Sequence, residues 1–184
     1  MHPRPDRPIG RQTLVVKELN LPIARRLLLI LFVLAACVGC DQSTKMYAAA
    51  NLPRVQPLSL LSDTVRLQLA HNEGSFLGLG ASAPKVWRLA TLRVGVSAML
   101  LALLAYALFV AVGRGPFIFA LSLVLAGGSS NLIDRFVNDG YVVDFINLGA
   151  GPIRTGIFNV ADVAITAGAL LLLVQSWRRR QRDA

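Results

Sequence analysis

The chain contains four apolar stretches, each about as long as a helix that crosses a lipid bilayer. They cover roughly residues 25–44, 89–112, 115–133 and 157–177. A spanning helix needs about 20 predominantly apolar residues. Hydrophobic residues make up 54% of the 184, which is more than a soluble domain of this length needs. We therefore predict a mainly α membrane protein with four transmembrane helices.

The distribution of cationic residues predicts how these helices are oriented. Lys and Arg number six in residues 1–26, one at Arg114 and four after Trp177. Cytoplasmic segments carry an excess of Lys and Arg, so we expect both termini to be cytoplasmic, with Trp177 as an interfacial anchor. The net charge of +9 is concentrated at these positions, where anionic lipid attracts it. Basic composition therefore does not predict nucleic-acid binding, and we expect no such partner.

Three regions follow from the same pattern. Residues 1–24 are polar and rich in proline and arginine, which predicts a flexible basic cytoplasmic extension. Residues 25–177 form the predicted four-helix membrane domain, and residues 178–184 form a basic cytoplasmic tail. Between the first two spans, alternating Val65-Arg66-Leu67-Gln68-Leu69 predicts a strand in a small extracytoplasmic β-containing region. The connection at 136–156 also carries β-like sequence.

Cysteine and histidine give no sign of a metal site. Cys37 and Cys40 lie one helical turn apart within the first apolar stretch, where thiols usually serve as small packing residues. Residues 25–37 imitate a lipoprotein signal peptide ending at Cys37, but cleavage there would discard the first span, so we favour a retained helix. The only histidines are His2 and His71, and no zinc-binding spacing occurs. We predict neither a metal nor a cofactor.

Aspartates at the edges of the apolar stretches are the strongest functional signal. A carboxylate near the bilayer centre costs about 2.5–3.5 kcal/mol on insertion scales, so these groups are either shielded from lipid or used. Asp41 has Lys45 one turn later, and Asp134 is followed by Arg135, which predicts an ion pair for each. The four aspartates are Asp41, Asp134, Asp144 and Asp162.

Asp144 and Asp162 differ from the other two because apolar residues flank them on both sides. Desolvation and mutual repulsion would raise one pKa of such a pair, which is the condition for an acid and a base acting together near neutral pH. A serine protease with Ser129 or Ser130 as nucleophile is the alternative, but no suitably placed base supports it. The residues themselves therefore favour an aspartic pair.

At these positions the chain resembles lipoprotein signal peptidase, or signal peptidase II, a bacterial membrane aspartyl protease. The resemblance covers about residues 25–177. It rests on five short sequence motifs that occur in the same order as in the family: Asp41-Gln42-Ser43-Thr44-Lys45, Asn72-Glu73-Gly74, Asn131-Leu132-Ile133-Asp134-Arg135, Val142-Val143-Asp144-Phe145 and Phe158-Asn159-Val160-Ala161-Asp162.

The resemblance implies a catalytic dyad of Asp144 and Asp162. It also implies a set of residues that support the site or contact substrate. These are Asp41, Lys45, Asn72, Gly74, Asn131, Asp134, Arg135 and Asn159. The sequence departs from the family at Ser130, where glycine is usual, at Ser75-Phe76-Leu77, where Ala-Ala-Phe is usual, and by one extra residue between Arg135 and Asp144. These differences bear on the substrate groove and not on the dyad.

The implied function is an intramembrane aspartic endopeptidase of the bacterial inner membrane. It removes signal peptides from diacylglyceryl-modified prolipoproteins, cutting before the lipidated cysteine near the outer face. We expect it to act as a monomer surrounded by membrane lipid. A proton-conducting transporter that uses the aspartates as a relay is one alternative, and a non-catalytic protein that binds lipidated peptides is another.

Overall fold

Apolar composition and helix length together determine the architecture. The computed structural model describes residues 22–53, 56–74, 84–110 and 115–183. Within that part of the chain, four helices are long and apolar enough to cross a membrane, so the predicted fold class is confirmed. The predictions for residues 1–21, for the Ser75-Phe76-Leu77 departure and for the connection at Arg114 lie outside the described residues.

The helices extend further than their apolar stretches. Helix α1 runs over Ile23–Asn51 and α4 over Gly115–Val137, and both continue through polar residues that are buried between them. Helix α5 runs over Val160–Asp183, so the basic segment after residue 177 continues this helix. Pro53 follows the end of α1, where the Leu52 N–H still donates to the Ala48 carbonyl at 2.9 Å.

The second span, Thr91–Val110, is less regular than the others. It consists of α3, Val96–Ala105, with π-helical segments at Thr91–Gly95 and Tyr106–Val110, and it follows the short helix α2, Lys85–Ala90. Such π-helical turns are rare and often occur at functional sites.

A four-stranded antiparallel sheet covers one end of the helices, in the order β1-β2-β3-β4. Strands β1, Leu58–Leu60, and β2, Val65–Asn72, lie between the first two spans, as the alternating sequence predicts. Strands β3, Val142–Ala150, and β4, Ile153–Arg154, come from the connection between the last two spans. The β region is therefore shared by two connections, and not confined to the first.

Helix α4 lies at the centre, packed against α1, α3 and α5. The apolar part of this packing includes Ile30, Leu100 and Leu121, all buried, while the outward faces carry exposed residues such as Phe32 and Leu173. Exposed apolar side chains suit helices that face lipid, because lipid tails do not penalise them. Three of the polar residues that α4 buries, Ser130, Asn131 and Asp134, lie near its C-terminal end.

Glycine allows α4 and α5 to approach closely. A Cβ atom added at Gly127 would overlap the carbonyl oxygen of Ala161, and one added at Gly168 would crowd the carbonyl oxygen of Ala120. Small residues at helix contacts let backbones pack closely in membranes, as the glycines before Ser129 predict. The contact at Gly127 matters most, because Ala161 directly precedes Asp162.

We expect Gly127→Ala to destabilise the protein by about 1–3 kcal/mol, the usual cost of overpacking a filled contact. Gly39 in α1 is the matched control, because nothing lies within 4 Å of a Cβ built there. Gly39→Ala should leave stability unchanged or raise it slightly, since alanine favours helix over glycine. Unfolding in detergent compares the two variants, and equal stabilities would contradict the close helix contact.

Candidate active site

A buried lysine joins two buried carboxylates behind the sheet. The Nζ atom of Lys45 lies 2.7 Å from Asp41 Oδ2 and 2.9 Å from Asp134 Oδ2, and it donates to Asn131 Oδ1 at 3.0 Å. All three donors of the ammonium group are therefore used. The side chains of Lys45, Asp41 and Asp134 are 3%, 0% and 3% exposed, so this group is shielded from lipid and water.

Each carboxylate of this group also holds the backbone immediately before one member of the predicted dyad. Asp41 Oδ1 accepts the N–H of Ala161 at 2.8 Å, directly before Asp162. Asp134 Oδ2 accepts the N–H of Val143 at 3.0 Å, directly before Asp144. Lys45 thus connects the backbone positions of both predicted catalytic residues through two buried carboxylates.

The start of α5 fixes the orientation of Asp162. Asn159 precedes the helix, and its Oδ1 accepts the N–H of Asp162 at 2.9 Å, while Asp162 Oδ2 accepts the N–H of Asn159 at 3.1 Å. This reciprocal arrangement is a capping box built from Asn and Asp, and it satisfies N–H groups that the helix leaves free. It also explains why α5 begins at Val160, later than the apolar pattern predicts.

Two asparagines connect the ion group to the dyad. Asn131 Nδ2 donates to Asp162 Oδ1 at 2.9 Å, and its Oδ1 accepts from both Lys45 and Asn159 Nδ2. Asn159 Nδ2 also donates to Asp144 Oδ1 at 2.6 Å. A single asparagine side chain, Asn159, therefore contacts both predicted catalytic residues.

The sheet supplies the remaining contact to Asp144. Ala70 of β2 lies opposite Asp144, after a register shift between Leu67 and Ala70 that adds one residue to β2. Asn72, at the end of β2, donates from Nδ2 to Asp144 Oδ2 at 3.0 Å. The Gly74 N–H donates to Asn72 Oδ1 at 2.9 Å, which fixes the amide orientation, and the turn requires the φ of +92° that glycine adopts at no steric cost.

Both predicted catalytic carboxylates border one cavity of about 170 Å³. Asn72, Gly74, Asn131 and Arg135 also border it, together with Leu92 and Val142. The cavity lies where β2, β3 and the ends of α4 and α5 meet. The structure thus brings Asp144 and Asp162 to one small polar cavity, with Arg135 as the cation beside them.

Burial perturbs Asp144. Its side chain is 2% exposed, and desolvation, assisted by the charge of Asp162, raises the pKa of its carboxyl from 3.8 to about 6, against the opposing effect of the Asn72 and Asn159 hydrogen bonds. A carboxyl of this kind holds a proton to higher pH than an exposed one. That property suits a group that donates a proton in one step of a reaction.

The stability of Asp144→Asn relative to the wild type is therefore expected to depend on pH. The folded chain binds the Asp144 proton more tightly than the unfolded chain, so this group contributes stability below about pH 4 that is lost as the pH rises through 6. Asparagine does not titrate. The relative stability of the variant should rise by about 3 kcal/mol between about pH 3 and about pH 8, at about 1.4 kcal/mol per pKa unit. Unfolding in detergent at both pH values measures it, with the exposed Asp139→Asn as control, and a relative stability that stays constant would contradict the raised pKa.

One predicted contact is wrong and one is confirmed. Asp41 pairs with Lys45 as the helical spacing predicts. Asp134 pairs with Lys45 and not with Arg135, and no ion pair joins Asp134 to Arg135 in the described ranges. Neighbouring residues on a helix point in different directions, so adjacency in sequence did not predict the partner.

Three contributors to this region were not predicted as site residues. Gln42 Nε2 donates to Asp134 Oδ1 at 2.8 Å and to Ser130 Oγ at 3.0 Å, and Ser130 Oγ donates to Asp41 Oδ2 at 2.7 Å. Arg93 of the first π-helical segment donates to the Arg135 carbonyl at 2.7 Å from Nη2. Arg93 could have been identified as a charged residue inside an apolar stretch, and Gln42 by its position next to Asp41.

Comparison with known proteins matches this architecture. The sequence model of the family described as signal peptidase (SPase) II matches residues 33–178. The protein named lipoprotein signal peptidase of Rhodococcus jostii is 36% identical over 163 residues, which cover 83% of this chain and 75% of that protein. Its namesake in Mycobacterium avium is 34% identical over 157 residues, covering 83% and 80% of the two chains.

Solved structures agree with the fold. A bacterial membrane enzyme determined by the in meso method at 2.3 Å resolution superposes with a TM-score of 0.74 at 24% identity, covering 91% of this chain and 96% of the other. A second such structure, at 1.9 Å resolution, gives a TM-score of 0.70 at 25% identity over 86% and 96% of the chains.

Four spanning helices with carboxylates buried at one end define a multi-pass membrane protein with an acidic site. The family match and the relatives add that the chain belongs to the signal peptidase II family. It is accordingly a bacterial membrane protease of lipoprotein processing.

Proposed function

We propose that this chain is an aspartic endopeptidase that removes the signal peptide from diacylglyceryl-modified prolipoproteins, cutting before the lipidated cysteine. The observation that carries the proposal is the cavity of about 170 Å³ bordered by both Asp144 and Asp162. Both carboxylates are held by amide groups of Asn72, Asn131 and Asn159, and the cation of the ion group, Lys45, is bonded to other carboxylates. This leaves the pair available for proton transfer.

The proposed chemistry divides the work between the two carboxylates. One acts as general base on a water molecule, and the other, protonated, polarises the scissile carbonyl and later protonates the leaving amine. Burial favours the protonated form of Asp144, so we assign it the acid role. Asp162 lies in the first turn of α5, where the helix N-terminus favours negative charge, and we assign it the base role.

The neighbouring residues have roles that follow from their contacts. Asn159 and Asn131 hold the two carboxyl groups in fixed orientations, and Asn72 holds Asp144 from the sheet side. Arg135 borders the same cavity and provides positive charge close to the oxyanion that forms when water adds to the carbonyl. Pre-organised groups of this kind lower the barrier because they need no reorientation during the reaction.

A cleavage assay with purified protein in lipid tests the proposal. The substrate is a diacylglyceryl-modified prolipoprotein, and the matched control is the same chain without the lipid. We expect mass spectrometry to locate cleavage of the modified substrate at the bond before the lipidated cysteine, and no cleavage of the control. Tight binding without turnover would favour the non-catalytic alternative, and proton flux in liposomes would favour the transporter.

The proposal includes an orientation, with both termini cytoplasmic and the sheet at the outer face. The cysteines at 37 and 40 are first replaced by alanine, and single cysteines are then placed at Ser62, in the turn after β1, or at Gln181, near the end of α5. Both positions are exposed. An impermeant maleimide added to intact cells should label the first and not the second, and the reverse pattern would overturn the orientation.

A further inference from the structure

A second and larger hollow adjoins the candidate active site. It has a volume of about 550 Å³ and lies along α5, bordered by Asp162, Val163, Thr166, Ala167 and Leu170, with Phe158 at its upper end. We call it the α5 groove. Asp162 borders both this groove and the smaller cavity, so the two lie side by side at a predicted catalytic carboxylate.

The groove runs along the membrane-spanning direction. Residues 162, 166 and 170 are successive turns on one side of α5, and eight residues at about 1.5 Å each place Leu170 about 12 Å below Asp162. Val163 and Leu170 are 50% and 57% exposed. The groove is therefore open on its outer side, within the part of α5 that is apolar enough to lie in the bilayer.

We propose that the α5 groove binds an acyl chain of the substrate's diacylglyceryl group and thereby sets the depth of the lipidated cysteine at the dyad. This inference rests on the proposed function. The lining is mainly apolar, and the groove reaches Asp162, so its occupant lies beside the bond that is cut. A group attached to the cysteine at that bond meets both conditions.

Charge and width argue against other occupants. A phospholipid chain in the groove would bring its phosphate close to Asp162, and none of the described residues that line the groove is cationic to offset the repulsion. The diacylglyceryl group attached through sulfur carries no charge. The helical part of a signal peptide has a diameter of about 10–12 Å, which suits the surface of a helix bundle better than a groove along one helix.

Ala167 borders the groove between Asp162 and Leu170 with only a methyl side chain. A phenylalanine there would fill the space between Asp162 and Leu170 without touching either carboxylate. Ala169 lies two residues away on the same helix, is exposed and does not border the groove. The pair Ala167→Phe and Ala169→Phe therefore adds the same side chain at nearly the same depth, inside and outside the groove.

The first test measures kinetics on two substrates that differ only in the lipid. One carries long acyl chains, and the other carries acetyl groups in their place. Ala167→Phe should lower kcat/KM for the long-chain substrate about tenfold to a hundredfold, because the scissile bond is no longer held at the correct depth, and should leave the acetyl substrate unchanged. Ala169→Phe should behave as the wild type on both.

The second test does not depend on turnover, so it separates this inference from the proposed function. A diacylglyceryl peptide with a diazirine in the acyl chain is photolysed with the Asp162→Asn protein in lipid, and the crosslinked residues are mapped by mass spectrometry. Crosslinks should fall on residues 163–170 and be lost with Ala167→Phe but not with Ala169→Phe. Leu170→Phe, at an exposed position, repeats the test if Ala167→Phe does not fold.

Three results would overturn the inference. One is equal kinetics of Ala167→Phe and Ala169→Phe on the long-chain substrate. Another is crosslinking confined to other helices. The third is equal crosslinking by a phospholipid that carries the same diazirine, which would identify the groove as a general lipid contact. If the wild type cleaves neither substrate but crosslinks in the groove, the proposed function fails and the acyl-chain site stands.

Discussion

Asp162→Asn and Asp144→Asn are each expected to lower the rate of signal-peptide cleavage by about a thousandfold or more. General acid–base catalysis by a positioned group contributes typically 10²–10⁴-fold, and an aspartic pair cannot transfer protons through an amide. Both carboxylates border the same cavity, and each accepts hydrogen bonds from asparagine amides. An asparagine in place of either aspartate has one amide oxygen that can still accept such a bond. The loss should therefore appear in kcat, with substrate affinity largely retained.

Asp139→Asn is the matched control for these variants. Asp139 is an exposed carboxylate in the turn after α4, with a φ of +50° that asparagine also tolerates. It removes the same charge without approaching the cavity, so cleavage should stay at the wild-type rate. If Asp162→Asn or Asp144→Asn cleaved as fast as Asp139→Asn and the wild type, the catalytic groups would lie elsewhere.

Much of this fold follows directly from the sequence, because membrane spans leave a strong signal. Twenty apolar residues in a row specify a helix that must satisfy its own backbone hydrogen bonds in lipid. The pairing of Asp41 with Lys45 is similarly local, since four residues separate them on one helix. The predicted positions of the helix ends were less accurate, because the side chains that cap or extend a helix act through partners on other elements.

The connections within the site depended on long-range contacts that no local pattern contains. Asp134 lies next to Arg135 in sequence, yet its charge partner is Lys45 on another helix. Likewise, nothing near Asp41 predicts that its carboxylate accepts the N–H of Ala161, 120 residues later. Strands β2 and β3 belong to two different connections, so the sequence predicts each strand but not their pairing in one sheet.

Lys45→Met should be the most destabilising single change within this region. Removal of one partner from a buried ion group leaves the others uncompensated, at a cost of about 3–5 kcal/mol. Here two carboxylates, Asp41 and Asp134, would lose the same cation. The backbone before Asp162 and the backbone before Asp144 are both held by these carboxylates, so cleavage activity should fall together with stability.

A partly exposed ion pair in the same protein provides the comparison. Arg66 donates to Asp63 from Nε at 2.6 Å, and this hydrogen bond holds the pKa of the Asp63 carboxyl well below its usual range. The side chains of Arg66 and Asp63 are 35% and 38% exposed, so water replaces the partner readily. Arg66→Met should therefore change the unfolding midpoint in detergent very little, and cleavage not at all.

A triple variant separates the charge of Lys45 from its packing. Asp41→Asn and Asp134→Asn, combined with Lys45→Met, remove all three charges while retaining similar side-chain volumes, and a neutral buried group is often as stable as an ion group. We expect this variant to recover most of the stability that Lys45→Met loses. Recovery of stability without recovery of cleavage would mean that the ion group serves mainly to position the two backbone segments before Asp144 and Asp162. If Lys45→Met is instead as stable as the wild type, the two carboxylates do not depend on this lysine for charge compensation, and the central role assigned to it is wrong.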